Sequence, residues 1–516
     1  MTQRTESKTG QWMALLAALL GWLFDGFEIG LFPLTGKPAL TELLTTAAGG
    51  SAANPLSIEK AAEVAASVNS WFGVIIAVFL VGAATGGVLF GWLGDRIGRV
   101  RAMSLSILAY ALFTGACGFA DAAWQIAGLR FLASLGMGGE WSLGVALVNE
   151  IWPGKSRAFI AGLIGAAANV GFLLVALLSI GMVKTMASLS AGMLAIGLPA
   201  EFVDRLLSNG GWRFLMVSGA LPAVLTFFVR VCVPESHKWE EEKAKGSTGF
   251  WSNSDLYGVL VGCLGAMLVI FVWTPNVQNL PLRLIATAVG LVIALGGFLY
   301  PVRQFMGRAT AAGTIAPEQT GIIMRRMLFG AGLAGVALLG TWGSVQWAPK
   351  WAGELAKESG AKFATEYTQL WLAVGAIVGT IIAALAADRL GRQLTYALIC
   401  VTSLISCVAL YQFNDVYSNQ YLVYVFFVGG TTAAMYGFFP LYFPELFPTS
   451  IRATAQGFCF NFGRVIAAVG SLQTKTLIDA FGGNFPKAGT VLSAIYLIGA
   501  VLIWFGPETK GQKLPD

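Results

Sequence analysis

The chain alternates long apolar runs with short polar segments. Most runs are about twenty residues long, which is the length at which an α-helix crosses the hydrocarbon core of a bilayer. The pattern predicts an all-α integral membrane protein with about fourteen transmembrane helices. The apolar runs lie near residues 12–33, 71–93, 102–120, 124–148, 157–183, 212–233, 257–273, 284–302, 327–348, 367–387, 394–412, 420–443, 454–474 and 489–506.

These runs fall into three groups. Six belong to a predicted N-terminal bundle, residues 1–233, and six to a C-terminal bundle with its tail, residues 327–516. A charged cytoplasmic linker and an inserted helix pair, residues 234–326, are predicted between them. Segments rich in small and hydroxyl residues, near 35–70 and 184–211, are predicted to form long loops on the outer side, with a short surface helix from Ser57 to Ser70.

A short charged motif occurs once in each half of the chain. Asp95-Arg96-Ile97-Gly98-Arg99 follows one apolar run, and Asp388-Arg389-Leu390-Gly391-Arg392 follows another almost three hundred residues later. A charged motif repeated at the end of a hydrophobic segment predicts two related halves. Such internal repeats are typical of transporters that work by alternating access.

Composition supports a membrane location. Charged residues make up 12% of the chain, hydrophobic residues 56%, and the mean hydropathy is +0.70. A soluble domain carries about 25% charged residues, so lipid must cover much of this surface. The 64 glycines suit helices that approach each other closely in a bilayer.

The positions of Lys and Arg predict the orientation. If the N-terminus is cytoplasmic, twenty of these residues fall on the cytoplasmic side and eleven on the other. Positive residues are enriched in cytoplasmic loops. We therefore expect a multi-pass protein of the inner (plasma) membrane with both termini in the cytoplasm.

Several motifs resemble those of the major facilitator superfamily, and they are spread over nearly the whole chain. The resemblance implies two six-helix bundles that rock around a central site. In that family the first charged motif and its copy latch the halves together. The motifs are Gly91–Arg99, Asp388–Arg392, Arg130–Glu140, Pro234-Glu235-Ser236, Pro507-Glu508-Thr509 and Pro444–Thr454.

Two features resemble the sialate/monocarboxylate:proton symporters within that superfamily. One is Leu23–Glu28 in the first helix, and the other is the extra helix pair after the linker Pro234–Trp239. This chain departs from the group by carrying Glu28 and Arg464. The resemblance implies symport of a carboxylate with protons.

Charged residues within the apolar runs are the first candidates for chemistry, because a charge at mid-bilayer is costly unless it faces protein or water. Asp25 and Glu28 lie three residues apart on one helical face. Two neighbouring carboxylates at low dielectric tend to retain a proton. We predict proton coupling through Asp25 and Glu28, and the resemblance implies the same role for Arg130. The alternatives for the two acids are a structural ion pair with Arg130 or a hydrated position at the outer mouth.

Arg464 is the main candidate for binding an anion, because no acid neighbours it in the sequence. Asn461 lies one turn earlier, and Arg130 is a second candidate for the same role. An alternative for Arg464 is a pair with an acid of another helix. Asn169 and Gln346 are further candidates for substrate binding, with interhelical hydrogen bonds as the alternative.

The repeated motif has a mechanical interpretation. Asp95 and Asp388 are predicted to accept hydrogen bonds from helix N-termini and to pair with nearby arginines. Glycine at position 91 is predicted to allow a close helix approach. The predicted gating residues are Gly91, Asp95, Arg96, Arg99, Asp388, Arg389 and Arg392.

The hypothesis is a secondary transporter that moves a small carboxylate (a monocarboxylate, a sugar acid or sialic acid) together with a proton. The alternative is a porter for a sugar or another neutral metabolite, which the Pro444–Pro448 and Pro507–Thr509 motifs favour. An enzyme is not expected, because the chain has one histidine and no evident nucleophile, metal or cofactor set. Expected partners are the small molecule, protons and lipid, with no nucleic acid, and the chain is expected to be a monomer.

Overall fold

The computed structural model describes residues 8–51, 54–152, 156–274, 277 and 279–515. This described part is helical and contains no β-strand, as the sequence predicts. Its α-helices are α1 Lys8–Ala47, α2 Ile58–Ile97, α3 Arg99–Ala116, α4 Ala123–Ile151, α5 Arg157–Ala195, α6 Ala200–Ser218, α7 Ala223–Cys232, α8 His237–Ala244, α9 Asp255–Val272, α10 Leu280–Ala311, α11 Pro317–Gly343, α12 Ala348–Ser359, α13 Ala364–Leu390, α14 Arg392–Gln412, α15 Asn419–Tyr442, α16 Arg452–Ala480, α17 Phe485–Ser493 and α18 Ile495–Leu502.

Twelve helical segments of the described residues are long and apolar enough to cross a membrane. The all-α membrane fold is confirmed, although this number is two below the predicted fourteen. The predicted run at 212–233 is divided between α6 and α7 near Pro222. The run at 454–474 lies in α16, which carries polar and charged residues along its length.

The predicted loops near 35–70 and 184–211 are mostly helical, so this expectation is wrong. Helix α1 continues to Ala47 and α2 already begins at Ile58, while α5 reaches Ala195 and α6 starts at Ala200. Leu40 and Leu43 are buried against the extended part of α2 and against Trp212 of α6. Tertiary packing therefore lengthens these helices beyond their apolar runs.

The two halves meet along two helix contacts. Helix α2 packs against α16, and α5 packs against α13 and α15. The first contact is close because glycine lines it. A Cβ atom at Gly91 would lie 2.7 Å from the carbonyl oxygen of Ala453 and from Cα of Thr454. Farther along the same crossing, Gly457 faces the backbone of Gly87.

The inserted helices α9 and α10 form a hairpin against this contact. They pack on each other through glycines of both helices, including Gly262 and Gly297. Both helices touch α2 and α16. At one end the buried Asp255 carboxylate accepts hydrogen bonds from Arg308 at 2.6 and 2.7 Å. The hairpin thus lies beside the contact between the halves.

Candidate functional site

Glu28 and Arg130 form a buried ion pair within the N-terminal half. Both side chains are almost fully buried, and Arg130 Nη1 donates to Glu28 Oε1. The Thr114 hydroxyl donates to the same oxygen at 2.8 Å. The guanidinium also lies over the rings of Phe79 and Phe32, with centroids at 4.3 and 5.2 Å. Arg130 is thereby neutralised by Glu28 rather than by Asp25.

Asp25 is instead adjacent to a second acid, Glu140 of α4, with the Tyr110 hydroxyl beside it. Asp25 is fully buried and Glu140 is 3% exposed. In the described part of the chain, neither carboxyl group has a hydrogen-bond donor in ordinary geometry. A side chain at Gly21 would overlap Glu140 Oε1, so glycine makes room for this acid beside α1.

Two adjacent buried carboxylates repel each other strongly when both are ionised. A single proton shared between Asp25 and Glu140 would remove this repulsion. The structure thus brings Asp25 next to Glu140, whereas the sequence pointed to Asp25 together with Glu28 and Arg130. Glu140 is also an acid inside an apolar run, so the sequence could have marked it as a candidate. From the sequence we interpret it only as part of the Arg130–Glu140 motif.

Arg464 of α16 is a buried cation of the C-terminal half that lies near Asp25 and Glu28 of α1. It is 6% exposed. Its Nε and Nη1 atoms have no hydrogen-bond partner, and its guanidinium makes no ion pair, among the residues that the structure describes. It lies close enough to Asp25 and Tyr436 to interact electrostatically with both. The guanidinium lies over the Phe460 ring, 5.6 Å from the ring centroid.

Aromatic side chains from both halves lie around Phe460 and Arg464. Trp141 and Phe460 stack with 3.9 Å between their centroids, and Trp22 lies about 6 Å from each ring. The indole N–H groups of Trp22 and Trp141 have no partner in the described part of the chain. We call this group the ring cluster; its members are Trp22, Trp141, Tyr436, Phe439, Phe443 and Phe460. A cavity of about 10 Å³ lies beside it, next to Glu140.

The candidate amides all donate to backbone carbonyls. Asn461 donates to Gly138 at 2.9 Å and to Gly457 at 3.0 Å, and the first bond joins the two halves. Asn169 donates to the carbonyl four residues earlier at 3.0 Å. Gln346 likewise donates to Trp342. Each of these amide nitrogens therefore donates at least one hydrogen bond within the fold, whereas Asn461 Oδ1 has no partner among the described residues.

The first copy of the repeated motif lies at one end of the contact between the halves, which we call the cluster end. Asp95 is fully buried. Its carboxylate accepts hydrogen bonds from the backbone N–H groups of Ala453 and Thr454 at 3.2 and 2.8 Å, and from the Thr454 hydroxyl at 2.6 Å. It also pairs with Arg99 at 2.6 Å. Asp95 thus caps the first turn of α16 from the opposite half.

Glu150 extends this network. Arg99 pairs with Glu150 at 3.1 Å, and Arg452 of the C-terminal half pairs with it at 2.9 Å. Arg99 also donates to the carbonyl of Thr449 across the contact at 2.7 Å. The Ser236 hydroxyl donates to the same acid. The other predicted arginine of this copy, Arg96, lies over the Trp92 ring, 5.0 Å from the ring centroid.

The second copy of the motif is arranged differently. The Asp388 side chain is 59% exposed, and the nearest atom of Arg392 is 3.9 Å away. Arg392 pairs instead with Glu445, at 2.7 Å from Nη2 and 3.0 Å from Nε. Glu445 also pairs with Arg157 of the N-terminal half. The backbone carbonyl of Arg389 accepts from Lys510.

The Pro-Glu-Ser and Pro-Glu-Thr motifs cap helices beside these networks. Glu235 accepts from the backbone N–H group of Arg99 at 2.8 Å, and Glu508 from that of Arg392 at 2.8 Å. Burial raises the pKa of Glu235. Burial opposes ionisation of Glu508 as well, but the backbone N–H donors of Arg392, Gln393 and Lys510 outweigh it and lower its pKa.

Comparison with known families matches both halves. Residues 13–253 match the family described as sugar (and other) transporter, and residues 359–516 match the major facilitator superfamily. The chain is 27% identical to the cis,cis-muconate transport protein of Acinetobacter baylyi, over 83% of each chain. It is 20% identical to the sialic acid transporter NanX of Escherichia coli, over 95% of this chain and 92% of that one.

The fold is similar to that of a solved transporter. The structure of the proton:xylose symporter XylE bound to 6-bromo-6-deoxy-D-glucose superposes with a TM-score of 0.65. The match covers 99% of this chain and 98% of that one at 19% identity. This likeness concerns the arrangement of the helices.

Proposed function

The chain belongs to the major facilitator superfamily of membrane transporters, and we propose that it carries a small carboxylate together with a proton by alternating access. The observation that carries this proposal is the opposition of two unpaired charged groups across the halves. Arg464 lies on one side, and the Asp25–Glu140 pair lies on the other.

An arginine without a carboxylate partner is costly to bury, because guanidinium stays protonated and has lost its water. A substrate carboxylate can accept charge-assisted hydrogen bonds from it. Its Nε and Nη1 atoms, which lack partners in the described part of the chain, are available for this. This supports an anionic substrate bound at Arg464.

Proton coupling follows from competition for the same guanidinium. When Asp25 is ionised, it attracts Arg464 and repels an incoming carboxylate. When the Asp25–Glu140 pair takes up a second proton and becomes neutral, Arg464 is left to the substrate. Proton and anion then bind together, and they are released together for the same reason. Glu28 and Arg130 neutralise each other and support α1 against α4.

The cluster end acts as the gate. The contacts that cross between the halves there include Asp95 with Thr454, Arg99 with Thr449, Glu150 with Arg452, and Glu445 with Arg157. Release of substrate at that end requires these contacts to break. We propose that this end is cytoplasmic, with both termini on that side, because the excess of Lys and Arg lies there. The halves that rock are residues 1–233 and 327–516, in a monomer.

Relatives support the choice of a carboxylate. Two of them are named for muconate and sialic acid, and both compounds are carboxylates. The guanidinium of Arg464, unpaired among the described residues, likewise favours an anion over a neutral sugar.

Uptake into proteoliposomes tests the proposal. We expect accumulation of at least one labelled acid (muconate, sialic acid or benzoate) when the interior is alkaline, above the level in protein-free liposomes. Xylose uptake without uptake of any acid would contradict the proposal. Arg464→Gln should lower acid uptake at least a hundredfold, while Arg205→Gln, a matched change at a 57% exposed arginine, should not.

Asp25→Asn tests the coupling separately. The neutral amide resembles the protonated acid, so the variant should still exchange labelled for unlabelled acid across the membrane. It should no longer accumulate acid against a gradient when the interior is alkaline. Retention of gradient-driven accumulation would remove Asp25 from the coupling step.

A further inference from the structure

We propose that this site selects carboxylates with a flat unsaturated or aromatic body over saturated acids. This inference rests on the proposed function, because it assumes that a carboxylate binds Arg464. It is carried by the ring cluster, in which Trp141 and Phe460 of opposite halves lie parallel.

Phe460 fixes where the body of the substrate lies. It precedes Arg464 by four residues, so both side chains share one face of α16. The guanidinium is 5.6 Å from the Phe460 ring centroid. A carboxylate held by Arg464 therefore places the adjoining carbon atoms over this ring.

The stack between Trp141 and Phe460 joins the two halves. Trp141 belongs to α4 and Phe460 to α16, and their planes are 12° apart with 3.9 Å between centroids. In this conformation the rings close on each other, and the neighbouring cavity of about 10 Å³ has room for a water molecule only. When the halves rock apart, the space that opens between these two rings is a slot with two parallel aromatic walls.

A flat body fits such a slot and gains offset stacking on both faces. Trp22 closes one edge, with centroids 6.2 Å from Trp141 and 5.9 Å from Phe460. Tyr436 closes another, 6.1 Å from Phe460. A puckered saturated ring is thicker than a flat one, and it has no π face that could stack on the two aromatic walls.

Amide groups near the slot also contact the backbone. The side-chain nitrogens of Asn461, Gln456, Asn169 and Gln346 donate to backbone carbonyls. The side-chain oxygens of Asn461 and Gln456 have no partner among the described residues. The two indole N–H groups, which lack partners in the described residues, suit one additional acceptor on the substrate, such as a ring nitrogen or a carbonyl oxygen.

Ligand-induced thermal stabilisation of the purified protein tests this selectivity without relying on transport. The probes are the sodium salts of benzoate, cyclohexanecarboxylate and gluconate, compared at equal ionic strength and pH 6. We expect half-maximal stabilisation by benzoate at a concentration at least tenfold below that for either other acid. Equal concentrations for benzoate and gluconate would overturn the inference.

Phe460→Leu removes one wall while keeping an apolar side chain. It should bring benzoate and cyclohexanecarboxylate within threefold of each other. The matched control is Phe462→Leu, two residues along α16, where the ring faces Phe298 of the inserted hairpin. This control should keep the tenfold preference. An unchanged preference in Phe460→Leu would also overturn the inference.

The two proposals fail in different ways. If all three acids stabilise the protein equally and are accumulated with protons, carboxylate symport stands and the selectivity is wrong. If no acid stabilises the protein or is accumulated, the proposed function itself is wrong.

Discussion

The two copies of the Asp-Arg-x-Gly-Arg motif share a framework but differ at their first residue. Arg99 and Arg392 each pair with an acid, Glu150 and Glu445. Both acids then pair with an arginine of the opposite half and accept a hydroxyl hydrogen bond from the Pro-Glu-Ser or Pro-Glu-Thr motif. The framework is therefore repeated across the pseudo-symmetry.

Asp95 and Asp388 break that symmetry. Asp95 is fully buried and caps α16 of the other half, whereas the Asp388 side chain is 59% exposed. A repeated sequence thus does not place the same interaction on both sides of the contact. We therefore expect the proposed gate to depend mainly on Asp95, Arg99 and Arg452.

Among the variants that compare the two copies, Glu150→Gln should lower the stability most. It leaves Arg452 without an acid partner and Arg99 with one fewer. Both arginines are fully buried. Removing one partner of a buried pair costs about 3–5 kcal/mol. Thermal unfolding in detergent measures the loss, with Glu241→Gln on the exposed face of α8 as the control. A change in melting temperature equal to the control would mean that the pairs contribute no stability.

Asp95→Ala should affect the gate most directly. It removes the acceptor for three donors of Ala453 and Thr454, so the closed cluster end is destabilised relative to the open one. We expect turnover to fall at least tenfold while the dissociation constant of a transported acid changes less than threefold. Uptake kinetics and ligand binding measure the two quantities. A weakened affinity with normal turnover would argue against a gating role.

Glu445→Gln tests the second framework. It removes the charge that faces Arg392 and Arg157, but the Arg157 side chain is partly exposed and retains contact with water. We therefore expect a smaller loss of stability than for Glu150→Gln, about 1–3 kcal/mol. The same unfolding measurement compares the two variants directly. A larger loss for Glu445→Gln would reverse the proposed asymmetry.

Glu508 predicts a modest pH dependence of stability. Its pKa is lowered in the folded state, so its contribution is present above the unfolded value of about 4.3 and is lost as pH falls through the folded value. Glu508→Gln should therefore lower the melting temperature slightly at pH 7, and the difference from the parent protein should shrink on acidification below pH 4. A difference that does not vary with pH would contradict the assignment.

Asp388→Ala should have the smallest effect. The side chain is exposed and its nearest cation is 3.9 Å away, and such surface pairs contribute about 0–1 kcal/mol. Turnover should stay within twofold of the parent protein. A loss as large as that of Asp95→Ala would show that Asp388 becomes a latch in another conformation.

Particular residues show which features of the structure can be predicted from the sequence. Apolar runs of about twenty residues suffice to predict the helices, but not that Leu40 and Leu43 extend α1 by packing on α2. Asp25, Glu28, Arg130 and Arg464 stand out because charge within an apolar run is costly. The sequence does not fix which of these residues pair, because α1, α4 and α16 contribute residues more than a hundred positions apart.

The sequence by itself determined the all-helical membrane fold, the two related halves and the short set of charged residues that need an explanation. Only the tertiary structure decided that Glu28 pairs with Arg130, that Asp25 meets Glu140, and that Asp95 is buried while Asp388 is exposed. The physical reason is that helix formation and membrane insertion follow the local pattern of hydrophobicity. Pairing of charges depends instead on which helices meet, and at what depth, when distant segments pack.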